Sequence, residues 1–147
     1  MPPTYYLDTS ALVKRYHPER GTAYLDTVFA EPDTTFIIAS ITIAELTSAI
    51  VRKHEEGDIS RESLLLTLSK FSEDLITDFW ILDIERQHLH DAQQLILRHR
   101  LRTLDSLQLS LLLVTRGLSP IFLCSDTRLL TAAKAEGITA QDPSALK

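Results

Sequence analysis

Four carboxylates carry the chemistry that can be read from this chain of 147 residues. Asp8 closes the β-rich run Thr4-Tyr5-Tyr6-Leu7, and Glu45 lies one turn into the helical run that follows Thr35-Phe36-Ile37-Ile38-Ala39. Asp105 opens the helical run from Thr103, and Asp126 stands two residues beyond Ile121-Phe122-Leu123-Cys124. Carboxylates gathered within a few ångströms cannot all stay ionised without a counter-charge, because like charges raise one another's pKa. A divalent cation supplies that charge, and oxygen-only ligands favour Mg²⁺ or Mn²⁺ over zinc. Two such ions about 4 Å apart clamp the attacking and leaving oxygens of an in-line phosphoryl displacement. Such a reaction needs no histidine or serine nucleophile. The sequence leaves open whether one ion binds or two.

Each acid also has a structural reading. Asp8 and Asp126 suit helix N-caps, where a carboxylate accepts an exposed backbone N–H. Thr42 and Glu45 have the spacing of a capping box. Asp105, in a first helical turn, complements the helix dipole. Any one acid alone is explained this way. The joint placement is what favours a shared site, because it depends on the elements that carry them.

Those elements alternate. Strands are expected at Thr4–Leu7, Thr35–Ala39, Phe79–Ile84 and Ile121–Cys124, with a short fifth at Ile138–Thr139. Helices are expected over Asp8–Arg15, Gly21–Ala30, Thr42–Glu56, Ser60–Asp78, Glu85–Arg100, Thr103–Arg116 and Arg128–Glu136. Gly57, Gly117 and Gly137 each follow a helical run, where a left-handed residue ends a helix. Alternation of this kind makes an α/β fold, a three-layer α/β/α arrangement with a small parallel sheet of four or five strands. In such sheets ligands bind beyond the carboxyl ends of the strands. Asp8, Glu45 and Asp126 follow strands directly; Asp105 joins them if its helix starts at the same edge.

Composition narrows the setting. The chain is 44% hydrophobic and 24% charged, as a globular domain is, and its length suits one domain over 1–147. One cysteine, Cys124, excludes an internal disulfide framework, and no apolar run reaches a membrane span or a signal core, so a cytoplasmic protein is expected. A net charge of −5 argues against a generic nucleic-acid coat but not against an acidic nuclease site. His88 and His90 point about 200° apart on a helix, so they share no metal and read as solvated. Cys124 reads as a small buried hydrophobe. Leu64, Leu68, Phe71 and Leu75 form a stripe that reads as core, with a protein-partner groove or dimer face left open. Arg98, Arg100 and Arg102, with Arg52, Lys53, Lys14 and Arg15, read either as solvated helix ends or as phosphate contacts.

The motifs resemble a family. Leu7-Asp8-Thr9-Ser10-Ala11-Leu12-Val13-Lys14 looks like the opening of PIN-domain proteins, and Ile43-Ala44-Glu45-Leu46 like their second acidic motif. Leu104-Asp105-Ser106-Leu107-Gln108-Leu109 is similar to the third and Ser125-Asp126-Thr127-Arg128-Leu129 to the fourth. Order and spacing match across nearly the whole chain, and the length is that of VapC-type toxins of toxin–antitoxin pairs. The resemblance implies a Mg²⁺- or Mn²⁺-dependent ribonuclease on a parallel sheet, usually a homodimer, silenced by a VapB-like antitoxin. It makes Asp8, Glu45, Asp105 and Asp126 the metal-binding and catalytic acids. Two positions depart from the pattern: Cys124 stands where many relatives have Thr or Ser, and Arg128 where some have another acid or Asn. Rival readings are an RNA-processing PIN nuclease without an antitoxin, and a catalytically silent module that binds RNA or protein. An aspartyl-phosphate phosphatase is disfavoured, because Ser10 stands where its second Asp belongs.

Overall fold

The structure is a computed structural model, and it describes residues 2–146. Five strands, β1 (Thr4–Leu7), β2 (Thr35–Ala39), β3 (Phe79–Leu82), β4 (Ile121–Leu123) and β5 (Thr139–Gln141), form one sheet in the order β3-β2-β1-β4-β5. Every pairing is parallel, with Tyr5 opposite Phe36 on one side and Ile121 on the other. The chain therefore starts in the middle of the sheet, winds outward to one edge, crosses back and finishes at the other. The crevice of such a topology lies where the winding reverses, at the carboxyl end of β1 between β2 and β4.

Seven α-helices make the crossovers: α1 (Thr9–Tyr16), α2 (Thr22–Ala30), α3 (Ile41–Glu55), α4 (Arg61–Thr77), α5 (Arg86–His99), α6 (Thr103–Val114) and α7 (Thr127–Ala135). Strand alternation divides the core. Tyr5 and Leu7 face one layer with Leu12, Leu25, Leu46, Ile50 and Phe71, while Tyr6 faces the other with Leu109, Leu112, Phe122 and Leu129. The Leu64/Phe71 stripe of α4 is buried in the first layer, with Leu68 and Leu75 packed against it, so it is core. Two sequence expectations shift at their ends: β3 stops at Leu82, and the fifth strand begins at Thr139, because Ile138 is buried as the turn into it.

One expectation about chain reversal is corrected. Gly57 and Gly137 take positive φ after α3 and α7, but Gly117 does not; it lies inside a 3₁₀ turn, Arg116–Leu118, and Ser119 takes the left-handed conformation instead at φ 47°. Gly21 has φ 101°, and a Cβ there would meet the Pro143 backbone at 3.0 Å. Gly21 is thus where the start of α2 lets the C-terminal segment lie against it. Gly117 has ordinary backbone geometry and open space around a Cβ. Gly117→Ala is expected to stabilise the fold by about 0.4–1 kcal/mol through the entropy of the unfolded chain. Gly21→Ala is expected to destabilise it, and urea unfolding of the pair checks the contrast.

Candidate functional site

The four acids converge. Asp8 caps α1 at the carboxyl end of β1, its N–H donating to the Leu123 carbonyl on β4 at 3.0 Å, so the first acid is fixed by an extension of the sheet itself. Asp126 caps α7, its Oδ1 accepting the Leu129 N–H at 3.0 Å. Asp105 lies in the first turn of α6, and that helix does begin at this edge: Asp105 is close enough to Asp8, Glu45 and Asp126 for their charges to act on one another. Glu45 projects from the first turns of α3. The capping-box reading of Glu45 fails. Ser40, not Thr42, precedes α3, and Thr42 is fully buried within the helix.

The hydrogen bonds show how each carboxylate is oriented. Ser10 donates its N–H and its hydroxyl to Asp8 Oδ2, at 3.1 and 2.5 Å, and the same hydroxyl accepts the Ser125 N–H at 2.9 Å. That serine joins the first acid to the segment carrying the last. Glu45 Oε1 accepts from the Thr9 hydroxyl at 2.9 Å and from Gln108 Nε2 at 3.2 Å. Gln108, fully buried on α6, also donates to Thr42 Oγ1 and accepts the Tyr6 hydroxyl at 3.3 Å. Among the described residues, Asp8 Oδ1, Glu45 Oε2 and Asp126 Oδ2 accept nothing from the protein, and neither do both oxygens of Asp105. Three acids are therefore each held by one oxygen with the other left outward. Ser10, Thr9, Thr42 and Gln108 stand within or beside the acidic motifs, but only the tertiary contacts reveal their role.

Electrostatics agree. Burial pushes the Asp8 carboxyl up from 3.8 to about 6; the Ser10 hydrogen bonds pull it down, and Glu45 and Asp105 push it further up. Asp105 is also raised, by burial first, then by Asp126 and Glu45, against the lowering influence of Arg102 and Arg128. Beneath the site Cys124 is buried 3.7 Å from Asp8 Oδ2, and burial with the Asp8 charge holds its thiol protonated, as expected of a packing residue. The donor set fits Mg²⁺ or Mn²⁺ in chemistry: oxygens only, with four acids from separate elements. Among the described residues no three His, Cys, Asp or Glu side chains are grouped closely enough to hold a metal ion together, so the fit is one of donor chemistry.

The basic residues sort differently from the sequence expectation. Lys14 is buried and paired with Glu19 at 2.9 Å, and Arg15 pairs with Asp26 while lying over the Phe29 ring. Arg98 pairs with Glu136, which His99 also contacts. Arg102 stays at the site, lining with Asp105, Asp126, Thr127 and Arg128 a cleft of about 280 Å³. Arg52 borders a second cleft, about 510 Å³, with Thr9, Ser10, Glu45 and Leu104. His88 Nδ1 accepts the Glu85 N–H at the start of α5 at 2.9 Å.

The sequence matches the PIN domain over residues 5–135, and the chain belongs to that family. No curated protein sequence is similar enough to match it. Among solved structures it is similar to PAE2754 from Pyrobaculum aerophilum, with 20% identity, TM-score 0.65, and coverage of 99% of this chain and 93% of that one. It is similar to FitAcB from Neisseria gonorrhoeae, with 17% identity, TM-score 0.66 and coverage of 95% and 97%. It also resembles VapBC2 from Rickettsia felis, bound there to a DNA fragment from its promoter, with 15% identity, TM-score 0.63 and coverage of 95% and 98%. At these identities the likeness is one of fold.

Two outcomes follow from the acids and their supports. A carboxyl whose folded pKa is raised makes the native state bind more protons than the unfolded one, so stability falls as pH rises through the window. For Asp8 that window runs from 3.8 to about 6. The metal-free protein should lose on the order of 2–3 kcal/mol there, and Asp8→Asn should flatten the slope in unfolding measured across pH. Gln108→Leu leaves the Tyr6 hydroxyl without its acceptor and Glu45 short of a donor. It should cost about 1–3 kcal/mol by the same measurement.

Proposed function

We propose that this protein is a Mg²⁺- or Mn²⁺-dependent endoribonuclease acting as one PIN domain over residues 1–147, and the toxin of a toxin–antitoxin pair. The observation that carries the reading is the set of carboxylate oxygens without protein partners on Asp8, Glu45, Asp105 and Asp126, three of these acids being braced through their other oxygen. A purely structural set of helix caps has no need of Gln108 and Thr9 bracing a glutamate that caps nothing. Asp8, Glu45, Asp105 and Asp126 would hold a divalent ion, whose chemistry there would be to activate a water and to offset charge on the phosphate. The protein's own residues do the rest. Ser10 holds Asp8 by Oδ2 and leaves Oδ1 free, Gln108 and Thr9 hold Glu45 by Oε1, and Asp105 joins from the first turn of α6. Burial first, and neighbouring acids after it, raise the Asp8 and Asp105 carboxyls, and ion binding should bring both back towards the ordinary acidic range.

The toxin assignment draws on the PIN family and on the fold shared with FitAcB and VapBC2. The partners proposed are single-stranded RNA, a VapB-like antitoxin and a second copy of the chain, in the cytoplasm. Among the described residues no helix is long and apolar enough to cross a membrane. Exposed Leu65, Leu66 and Ile76 on α4, and Trp80 on edge strand β3, offer apolar area for protein partners.

Asp105→Asn should abolish metal-dependent RNA cleavage and weaken Mn²⁺ binding by calorimetry while circular dichroism stays unchanged. Full activity in this variant would exclude the four-acid site. Expression of the chain alone should arrest growth, and co-expression with the product of an adjacent small gene should relieve it. A chain harmless alone but active as a purified nuclease would favour the RNA-processing reading.

A further inference from the structure

We infer that Arg102 and Arg128 form a phosphate clamp at the Asp105–Asp126 end of the crevice, gripping an RNA phosphate next to the one being cleaved. The inference rests on the nuclease reading and adds the residues that hold its substrate.

Both guanidiniums line the same cleft as Asp105 and Asp126, and both lower the Asp105 carboxyl, so they stand within electrostatic reach of the site. Among the described residues neither enters an ion pair or a side-chain hydrogen bond. Ion pairs hold Lys14, Arg15, Lys70 and Arg98, and several other exposed cations among the described residues are likewise unpaired; what sets Arg102 and Arg128 apart is the cleft they share with Asp105 and Asp126. Arg102 is held extended, φ −70° and ψ 161°, as the residue before α6, just after buried Leu101 and left-handed Arg100. Arg128 is in the first turn of α7, two residues past Asp126. The two helix starts thus bring one guanidinium each to a cleft about 280 Å³ in volume.

A guanidinium matches phosphate oxygens with paired N–H donors, which makes arginine suited to this task. The cleft is polar, and its two arginines balance the two acids that alone would repel RNA. Arg98 and Arg100, which precede Arg102 in sequence, are separated from this task. Arg98 is tied to Glu136 between α5 and α7, and Arg100 serves as the left-handed residue ending α5. Arg128 also occupies a position where an additional acid would extend the metal site. Here that position contributes a cation for substrate in place of an anion for metal.

The test uses the full chain carrying Asp8→Asn, which keeps RNA intact, with Ca²⁺ and a short fluorescent single-stranded RNA. Affinity is measured against salt. Each phosphate contact contributes a slope of about 0.7 in log affinity against log salt on single strands. Arg102→Gln with Arg128→Gln removes that one phosphate contact and should therefore lower the slope by about 0.7. Arg98→Gln should leave the slope unchanged. Arg102→Lys with Arg128→Lys should keep most of the slope while losing affinity, because the charge stays and the fork goes. In parallel, arginine side-chain NH resonances of Arg102 and Arg128 should shift as RNA is added, and that of Arg98 should not. An unchanged slope in the double Gln variant, or an equal loss in Arg98→Gln, overturns the clamp. If wild-type cleavage remains metal-dependent in that case, the nuclease reading stands without it. An Asp8→Asn chain that binds no RNA, together with a wild type that cleaves none, overturns both.

Discussion

The structure is organised around one electrostatic conflict: carboxylates are driven together at the edge of a central strand where burial already disfavours their charge. Asp8 sits at the end of β1, flanked by β2 and β4 and hydrogen-bonded through its backbone to Leu123. A residue in that position cannot move aside to relieve repulsion, because its N–H continues the sheet. The surrounding architecture accepts the conflict. Ser10 stabilises Asp8 from behind, and Thr9, Thr42 and Gln108 hold Glu45, so that unsatisfied charge points into the crevice. Native proteins keep such local violations at functional sites, while the rest of the sequence agrees with the fold.

The polar network under Glu45 is the part of the molecule where packing and chemistry are least separable. Gln108 lies on α6, three residues after Asp105, and is buried in the layer that includes Tyr6 and Leu109. Its amide meets Tyr6 from the central strand, Thr42 and Glu45 from α3, and so joins elements from both sides of the sheet. A buried amide with all its partners in place fixes the relative position of those elements more sharply than apolar contacts do. The same bonds that align α6 against α3 also aim the glutamate.

Most of the fold was legible from periodicity and punctuation, because strand and helix runs are long relative to their boundaries and each apolar stripe has one layer to face. The positions of Asp8 and Asp126 were legible for the same reason, since both follow strands. Asp105 required the structure: only the turn through left-handed Arg100 and buried Leu101 sets where α6 begins. Glu45 looked like a capping partner by spacing, yet Thr42 is inside the helix and out of reach of that role. Spacing along a chain cannot tell a local hydrogen bond from a tertiary one. Gly117 failed as a helix stop for a related reason, because a 3₁₀ turn passed the left-handed step on to Ser119.

The arginines show the same limit from the side of charge. In sequence, Arg98, Arg100 and Arg102 form one basic cluster and Arg128 appears as an isolated departure from an acidic pattern. On a helix, residues four apart share a face, but the α5–α6 turn intervenes between Arg98 and Arg102 and sends them to different neighbours. Arg98 finds Glu136, while Arg102 finds the cleft that Arg128 enters from α7. Proximity in the chain therefore grouped the wrong cations, and the topology regrouped them around the acids. The regrouping follows from the winding of the sheet: crossovers that bring α6 and α7 to the edge beside β1 and β4 carry their first-turn residues to the same place. Acids and arginines at those helix starts belong to one electrostatic unit, in which Arg102 and Arg128 lower the Asp105 carboxyl that burial, Asp126 and Glu45 raise.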